Sequence, residues 1–135
     1  MKIAVFTDTY DEINGVASVY KKFVEYCIDR NIHLEVFALS NKTSVEEKNK
    51  VKIHRIKTLI PMEVQPDLSF DLVWLNPKLI TYFKNNKFDL IHVATPGTMG
   101  LNALLLSKIY KIPIIATYHT HIPEYVKERV NKIIS

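Results

Sequence analysis

Two histidines, His119 and His121, flank Thr120 in the stretch "ATYHTHIPEY" (116–125), directly after an apolar run. An imidazole can bind a metal, accept a proton or hydrogen-bond a substrate. If a strand continues through them, both rings share one face, and if it has ended they diverge. A zinc site needs at least one more ligand, and none is evident. The other chemistry available to His119 is contact with a substrate or acceptance of a proton, with hydroxyl contacts from Thr117 and Thr120. The residues alone favour a structural histidine.

A second candidate is the pair Asn14-Gly15, where the stretch "TDTYDEING" (7–15) leads into a helical pattern. Asn14 can cap that helix, and Gly15 lets another group approach the first exposed backbone N–H donors. A helix N-terminus with such donors is suited to an anion, and to a phosphate in particular. The alternative is a cap and a tight turn without a ligand, and the pair by itself favours this alternative. The glycine-rich dinucleotide and P-loop patterns do not occur.

The stretch "ATPGTMG" (94–100) is interpreted as structural. Pro96 and Gly97 shape the turn into the next helix, and Gly100 allows that helix to pack closely on the sheet. All the glycines of the chain lie in these two loops. The glycines are therefore concentrated in the two loops where the chain turns and where a ligand could bind.

The elements that position these loops follow from the alternation of apolar runs and helical patterns. Strands are predicted over 2–8, 33–40, 51–57, 88–95 and 112–119, and helices over 14–31, 77–86, 98–110 and from Pro123 onward. Asn76 and Pro77 suit the cap and first turn of their helix. The polar stretch 41–50 is predicted as a loop, and 58–77 as mostly irregular. Strands joined by helices indicate an α/β fold with a Rossmann-like parallel sheet, whose ligands bind beyond the carboxyl ends of the strands.

Composition limits the classes of protein that remain. The 135 residues make one domain, and 47% apolar with 24% charged residues is typical of a globular chain. The single cysteine, Cys27, excludes an internal disulfide and a thiolate zinc site. Neither a membrane-spanning run nor a signal-peptide pattern is present, which predicts a cytoplasmic location. The net charge of +4 suits a phosphate-bearing ligand or an anionic membrane surface, while scattered lysines disfavour nucleic-acid binding. The other histidines, His33, His54 and His92, are predicted to be structural or solvated.

Three motifs in order carry a resemblance to a known family: "KIAVFTDTYDEINGVASV", "FDLIHVATPGTMGLNALLLSKIYKIPIIATYHT" and "IPEY". The sequence resembles the N-terminal, acceptor-side domain of retaining glycosyltransferases of the GT-B type, family 4. The resemblance covers nearly the whole chain and is strongest over 2–19 and 88–125. It implies one half of a two-domain architecture, in which a hexose passes from a nucleotide-diphosphate sugar to a lipid or saccharide acceptor.

The resemblance also implies roles for particular residues. The backbone amides at Asn14 and Gly15 match the loop that approaches the donor diphosphate. His119 matches a histidine that contacts the donor sugar, with Thr120 lining the same pocket, and Tyr10 falls where the acceptor is often contacted. Neither a metal nor a cofactor is implied. The chain departs from the family pattern in two places: it lacks a proline before Gly15, and His121 replaces an acidic residue.

The resemblance further implies a second, nucleotide-sugar-binding domain that residues 1–135 do not contain. The chain is expected to be an N-terminal domain that is incomplete at its C-terminal end, and inactive by itself. The missing domain, in the same or another chain, is an expected partner, and peripheral contact with a membrane is a further expectation. The alternatives are a stand-alone anion-binding module without catalysis and a remnant of a split gene.

Overall fold

The computed structural model describes residues 1–57, 76–95 and 97–116. Its strands are β1 (Lys2–Thr7), β2 (His33–Ser40), β3 (Ser44–Lys48), β4 (Val51–Lys57), β5 (Leu90–Val93) and β6 (Ile114–Ala116). Its helices are α1 (Gly15–Asp29), α2 (Pro77–Asn85) and α3 (Thr98–Tyr110). The predicted helix from Pro123 and the irregular segment 58–75 lie outside the described residues.

The strands form one sheet in the order β3-β4-β2-β1-β5-β6. All pairs are parallel except β3 with β4, which is antiparallel. The predicted α/β class with a Rossmann-like parallel sheet and flanking helices is therefore confirmed. Strands β2, β4 and β3 lie on one side of β1, and β5 and β6 lie on the other side. The strand order therefore reverses between β1 and β5. Ligands of open parallel sheets bind at such a reversal.

Strand β3 contradicts the prediction of a loop over 41–50. Ser44 pairs with Arg55 and Lys48 with Val51, so the strand forms a hairpin with β4 through the two residues Asn49 and Lys50. Asn49 has a φ of 55°, a left-handed conformation that asparagine tolerates better than most residues. All of β3 is exposed, so this edge strand lacks the apolar alternation by which strands are recognised.

Apolar side chains pack on both faces of the sheet, as the alternation along β1 requires. Val5 faces α1 and packs with Tyr20 and Val24. Ala4 and Phe6 face the opposite side and pack against α2 and α3. The Phe6 and Phe37 rings stack there, with centroids 4.9 Å apart. Both faces of the central strands are thus covered, and the polar groups that remain accessible lie at the strand ends.

Close packing of α3 on the sheet explains Gly100, as the sequence predicts. A Cβ atom at this position would lie 2.6 Å from the carbonyl oxygen of Thr95 and 3.2 Å from a methyl group of Val93. The bounds of α3 also agree with the predicted helix over 98–110. Among the described helices, none has the length and apolarity required to cross a bilayer.

Candidate functional site

Helix α1 begins just beyond the carboxyl end of the central strand β1. Asn14 is extended and its side-chain oxygen accepts a hydrogen bond from the Ala17 amide at 2.8 Å. The carbonyl of Asn14 accepts the first helical bond, from Ser18, at 3.0 Å. The predicted N-cap is therefore confirmed. The amides of Gly15 and Val16 precede the capped one, in the turn where a helix offers its unpaired donors and its positive dipole end.

The space above Gly15 is open. Apart from its chain neighbours and the backbone of α1 itself, no atom of the described residues lies within 4 Å of the position that a Cβ would take there. The φ of Gly15 is not positive either. Neither packing nor backbone conformation therefore requires glycine at this position, whereas the close approach of a ligand to the helix N-terminus would.

Side-chain hydrogen bonds shape the loop between β1 and α1. The Glu12 carboxylate accepts from the Thr9 hydroxyl at 2.7 Å and from the Tyr10 amide at 3.0 Å. The Asn14 side-chain amide donates to the Thr9 hydroxyl oxygen at 2.8 Å. The loop contains no proline and is folded onto itself by these polar contacts.

The same loop is tied to the sheet through Asp11. Arg55, on β4, donates two hydrogen bonds to the Asp11 carboxylate, at 2.8 and 3.0 Å. Its Nη1 also donates a hydrogen bond of 2.9 Å to Glu46 on β3. The hydrogen bonds to Asp11 favour the charged guanidinium and raise the pKa of Arg55 further above its already high value.

Tyr10 is a residue of this loop whose side chain packs beneath it. Its side chain is only 5% exposed, and burial raises the pKa of its phenol. The Arg55 guanidinium and the Lys21 ammonium lie 5.8 and 5.9 Å from the centre of its ring. Tyr10 therefore belongs to the packed core beneath the loop, and its role toward an acceptor stays a prediction.

The second loop, between β5 and α3, already holds a carboxylate. Asp8 accepts hydrogen bonds from the Met99 amide at 2.9 Å and from the Thr95 hydroxyl at 2.8 Å. A Cβ at Gly97 would lie 1.9 Å from an oxygen of Asp8, so glycine is required there. The structural interpretation of "ATPGTMG" is confirmed for Gly97 and Gly100, and a side chain of this protein occupies the N-terminus of α3. Pro96 lies outside the described residues. Sequence reasoning missed Asp8, although its position directly after β1 was a usable signal.

A pocket of about 200 Å³ opens beside the loop at the same edge of the sheet. It is lined by Asp11 and Glu12 from the loop and by Leu39, Ser40 and Asn41 at the end of β2. Its carboxylates and small polar side chains offer hydrogen-bond acceptors to hydroxyl groups. The pocket and the N-terminus of α1 both border the β1–α1 loop.

The structure thus brings Asn14, Gly15 and Tyr10 to one loop. His119, Thr120 and His121 lie outside the described residues, so the contact of His119 with the donor sugar and the place of Thr120 in the same pocket stay predictions. Within the described ranges, no three His, Cys, Asp or Glu side chains are grouped closely enough to hold a metal ion.

The remaining histidines have the predicted structural or solvated positions. His54 stacks on Phe37 with ring centroids 4.5 Å apart and lies 2.6 Å from the Glu35 carboxylate. His92 lies 3.0 Å from the Tyr20 hydroxyl, and its burial lowers its pKa. His33 is exposed at the start of β2.

Asn14→Ala is expected to lower the free energy of unfolding by about 1 kcal/mol, because the Ala17 amide loses its capping acceptor. Urea unfolding measures this loss. The matched control is Asn76→Ala, which removes the cap of α2, where the Asn76 side chain accepts from Lys78 at 2.9 Å. Asn76→Ala should lower the free energy of unfolding by a similar amount. Equal stability of Asn14→Ala and the unaltered protein would contradict the capping role.

Comparison with known proteins identifies the family of the chain. The profile of Glycosyltransferase Family 4 matches residues 13–135. The chain is 27% identical over 128 residues to sulfoquinovosyl transferase SQD2 of Arabidopsis thaliana, covering 93% of this chain and 24% of that protein. It is 29% identical over 127 residues to an alpha-monoglucosyldiacylglycerol synthase of Streptococcus pneumoniae, covering 93% of this chain and 28% of that one. The chain therefore spans about a quarter of the length of these relatives. It belongs to Glycosyltransferase Family 4.

Proposed function

We propose that this chain is the acceptor-side domain of an enzyme that transfers a hexose from a nucleotide-diphosphate sugar to a lipid or saccharide acceptor, with retention of anomeric configuration. Family membership over residues 13–135 supports sugar transfer. The names of the two relatives describe a sugar transferase and a synthase of a glucosylated diacylglycerol, which supports a lipid acceptor in particular.

The observation that carries the proposal is the N-terminus of α1, capped by Asn14 and open above Gly15. As the glycosidic bond to the diphosphate breaks, negative charge grows on the leaving oxygens. Backbone donors and the positive end of a helix dipole, fixed in place beforehand, stabilise that charge in the transition state more than in the bound substrate. This chemistry needs neither a metal nor a cofactor from this domain.

We assign the binding of the donor sugar to residues that follow β6 in the sequence. We expect His119 to position the donor sugar and to stabilise it by hydrogen bonding, with Thr120 in the same pocket. Because retention is proposed without a protein nucleophile, His119 is not assigned the role of a general base. The acceptor would approach along the loop that covers Tyr10, beside the pocket lined by Asp11 and Glu12.

A second domain is required by this proposal. The chain spans about a quarter of the relatives' lengths, and among the described residues we assign contacts to the diphosphate alone, at the N-terminus of α1. We therefore expect residues 1–135 to be inactive alone and to work with a nucleotide-sugar-binding domain in the same or another chain. We also expect the enzyme to be cytoplasmic and to contact the membrane peripherally, where a lipid acceptor resides.

The test is sugar transfer by the protein at its native length. Radiolabelled UDP-glucose, UDP-galactose and GDP-mannose are offered with diacylglycerol and with a glucosylated diacylglycerol, and the anomeric configuration of the product is read by NMR. A product of the same anomeric configuration as the donor supports the proposal, and an inverted product contradicts retention. Binding of the nucleotide sugar without turnover would favour the non-catalytic anion-binding module. Turnover by residues 1–135 alone would refute the need for a second domain.

A further inference from the structure

The loop that carries Asn14 and Gly15 is held against the sheet by a charged contact between Asp11 and Arg55. Asp11 lies midway along the loop and receives two hydrogen bonds from Arg55, at 2.8 Å from Nε and 3.0 Å from Nη2. Two parallel bonds fix the orientation of the carboxylate as well as its distance. The contact joins residues 44 positions apart and links the loop to a strand that is not adjacent to β1.

Arg55 is itself held firmly in this orientation. Its backbone pairs with Ala38 of β2 and with Ser44 of β3, and its third nitrogen donates to Glu46 at 2.9 Å. The Arg55 side chain is 20% exposed, whereas Asp11 is 47% and Glu46 61% exposed. A guanidinium with two carboxylate partners and a backbone paired on both sides restrains the loop more than an isolated ion pair does.

The position of the contact matters for the helix that follows. Three residues separate Asp11 from Gly15, and the intervening Glu12 and Asn14 are bonded to Thr9 on the other side of the loop. The contact at Asp11 is therefore joined through the backbone at Glu12 to the hydrogen bonds that lead to the cap of α1. The chain lacks a proline in this loop, so side-chain contacts must supply its rigidity.

We propose that Arg55 is a positioning residue, which holds the β1–α1 loop through Asp11 so that the first amides of α1 face the donor diphosphate. This role rests on the proposed function, since it assumes that the diphosphate binds at Gly15. Arg55 does not touch the diphosphate; it reduces the conformational freedom that the loop would lose on binding.

The test compares Arg55→Lys with the unaltered protein at its native length. Lysine keeps the positive charge but cannot form the two parallel bonds, so any change reports on geometry rather than on net charge. Hydrogen exchange of the amides from 10 to 15 is measured without ligand, and inorganic pyrophosphate is titrated while the Gly15 and Val16 amide signals are followed by NMR. Amide exchange is expected to accelerate about tenfold, as for the loss of one hydrogen bond between charged groups. The affinity for pyrophosphate is expected to fall by about threefold to tenfold.

Glu46→Gln is the matched control, because the glutamine amide oxygen can still accept from Arg55 Nη1 while the charge is removed and the loop contact stays in place. It should change neither exchange nor pyrophosphate affinity appreciably. Adding Asp11→Asn to Arg55→Lys should produce little further loss, because the two residues act through the same contact.

The outcomes separate the positioning role from the donor site itself. Faster exchange together with weaker pyrophosphate binding supports the proposal. Unchanged exchange, or faster exchange with unchanged pyrophosphate affinity, overturns the role of Arg55 while the donor site stands. Absence of any shift at Gly15 and Val16 in the unaltered protein overturns the donor site, and the positioning role with it.

Discussion

Gly15→Ala is expected to leave the fold intact and to lower kcat/KM for sugar transfer by about 100-fold, an effect of the size that follows when a developing anion loses contact with one fixed donor. Apart from the chain neighbours of Gly15 and the backbone of α1 itself, the added methyl meets no atom of the described residues within 4 Å, and the backbone needs no positive φ. In the liganded enzyme the methyl would stand between the helix N-terminus and the diphosphate. Transfer is measured at the native length, and folding by the thermal midpoint.

Gly97→Ala is the matched control for Gly15→Ala. Its methyl would lie 1.9 Å from an oxygen of Asp8, which is held by Thr95 and Met99. Such overlap costs about 1–3 kcal/mol of folding free energy. Gly97→Ala should therefore lower the thermal midpoint of unfolding, whereas Gly15→Ala should lower sugar transfer and leave the midpoint unchanged. Full activity of Gly15→Ala would contradict diphosphate binding at this position.

The largest expected effect on stability is at Glu35, a carboxylate that is 3% exposed. It accepts hydrogen bonds from His54 at 2.6 Å and from the Tyr82 hydroxyl, and Lys2 lies 3.0 Å away. Glu35→Ala leaves these three donors without their acceptor in a largely buried site. We expect a loss of about 3–5 kcal/mol, the usual result of removing one member of a buried charged pair. Urea unfolding near neutral pH measures it.

The exposed pair Lys52–Glu47 provides the control for Glu35. Its atoms are 4.0 Å apart and its side chains are 40% and 59% exposed. Glu47→Gln should therefore change the free energy of unfolding by less than about 1 kcal/mol. Comparable losses in Glu35→Ala and Glu47→Gln would show that the buried cluster is not a special contributor to stability.

Glu35 also predicts how stability depends on pH. Burial by itself raises the pKa of this carboxyl, but hydrogen bonds from His54, Tyr82 and Lys2 outweigh it and lower the pKa from 4.5 to about 2. A folded-state pKa below the unfolded value means that the stabilisation is complete above about pH 4.5 and is lost as the pH falls toward 2. Glu35→Gln should remove this part of the acid sensitivity. Parallel stability curves for the two proteins between neutral and acid pH would contradict the prediction.

Local patterns in the sequence determined a large part of this structure. The caps at Asn14 and Asn76, the proline at the start of α2 and the bounds of α3 depend on residues a few positions apart, whose hydrogen bonds form within the same turn. Apolar runs and helical periods were sufficient to predict the α/β class, since buried parallel strands need apolar residues on both faces. The pair Asn14-Gly15 could be identified as a helix start before any neighbour in space was known.

The tertiary structure alone decided which distant groups meet. Asp8 caps α3 from 91 residues away, Arg55 holds Asp11 across 44, and Tyr82 reaches Glu35 across 47. These contacts depend on strand order and register, which no local period encodes. Edge strand β3 escaped prediction for a related reason, because its pairing with β4 provides hydrogen bonds but no buried face. The sequence thus determined where the candidate anion site begins, and the packing of the sheet decided which residues hold it in place.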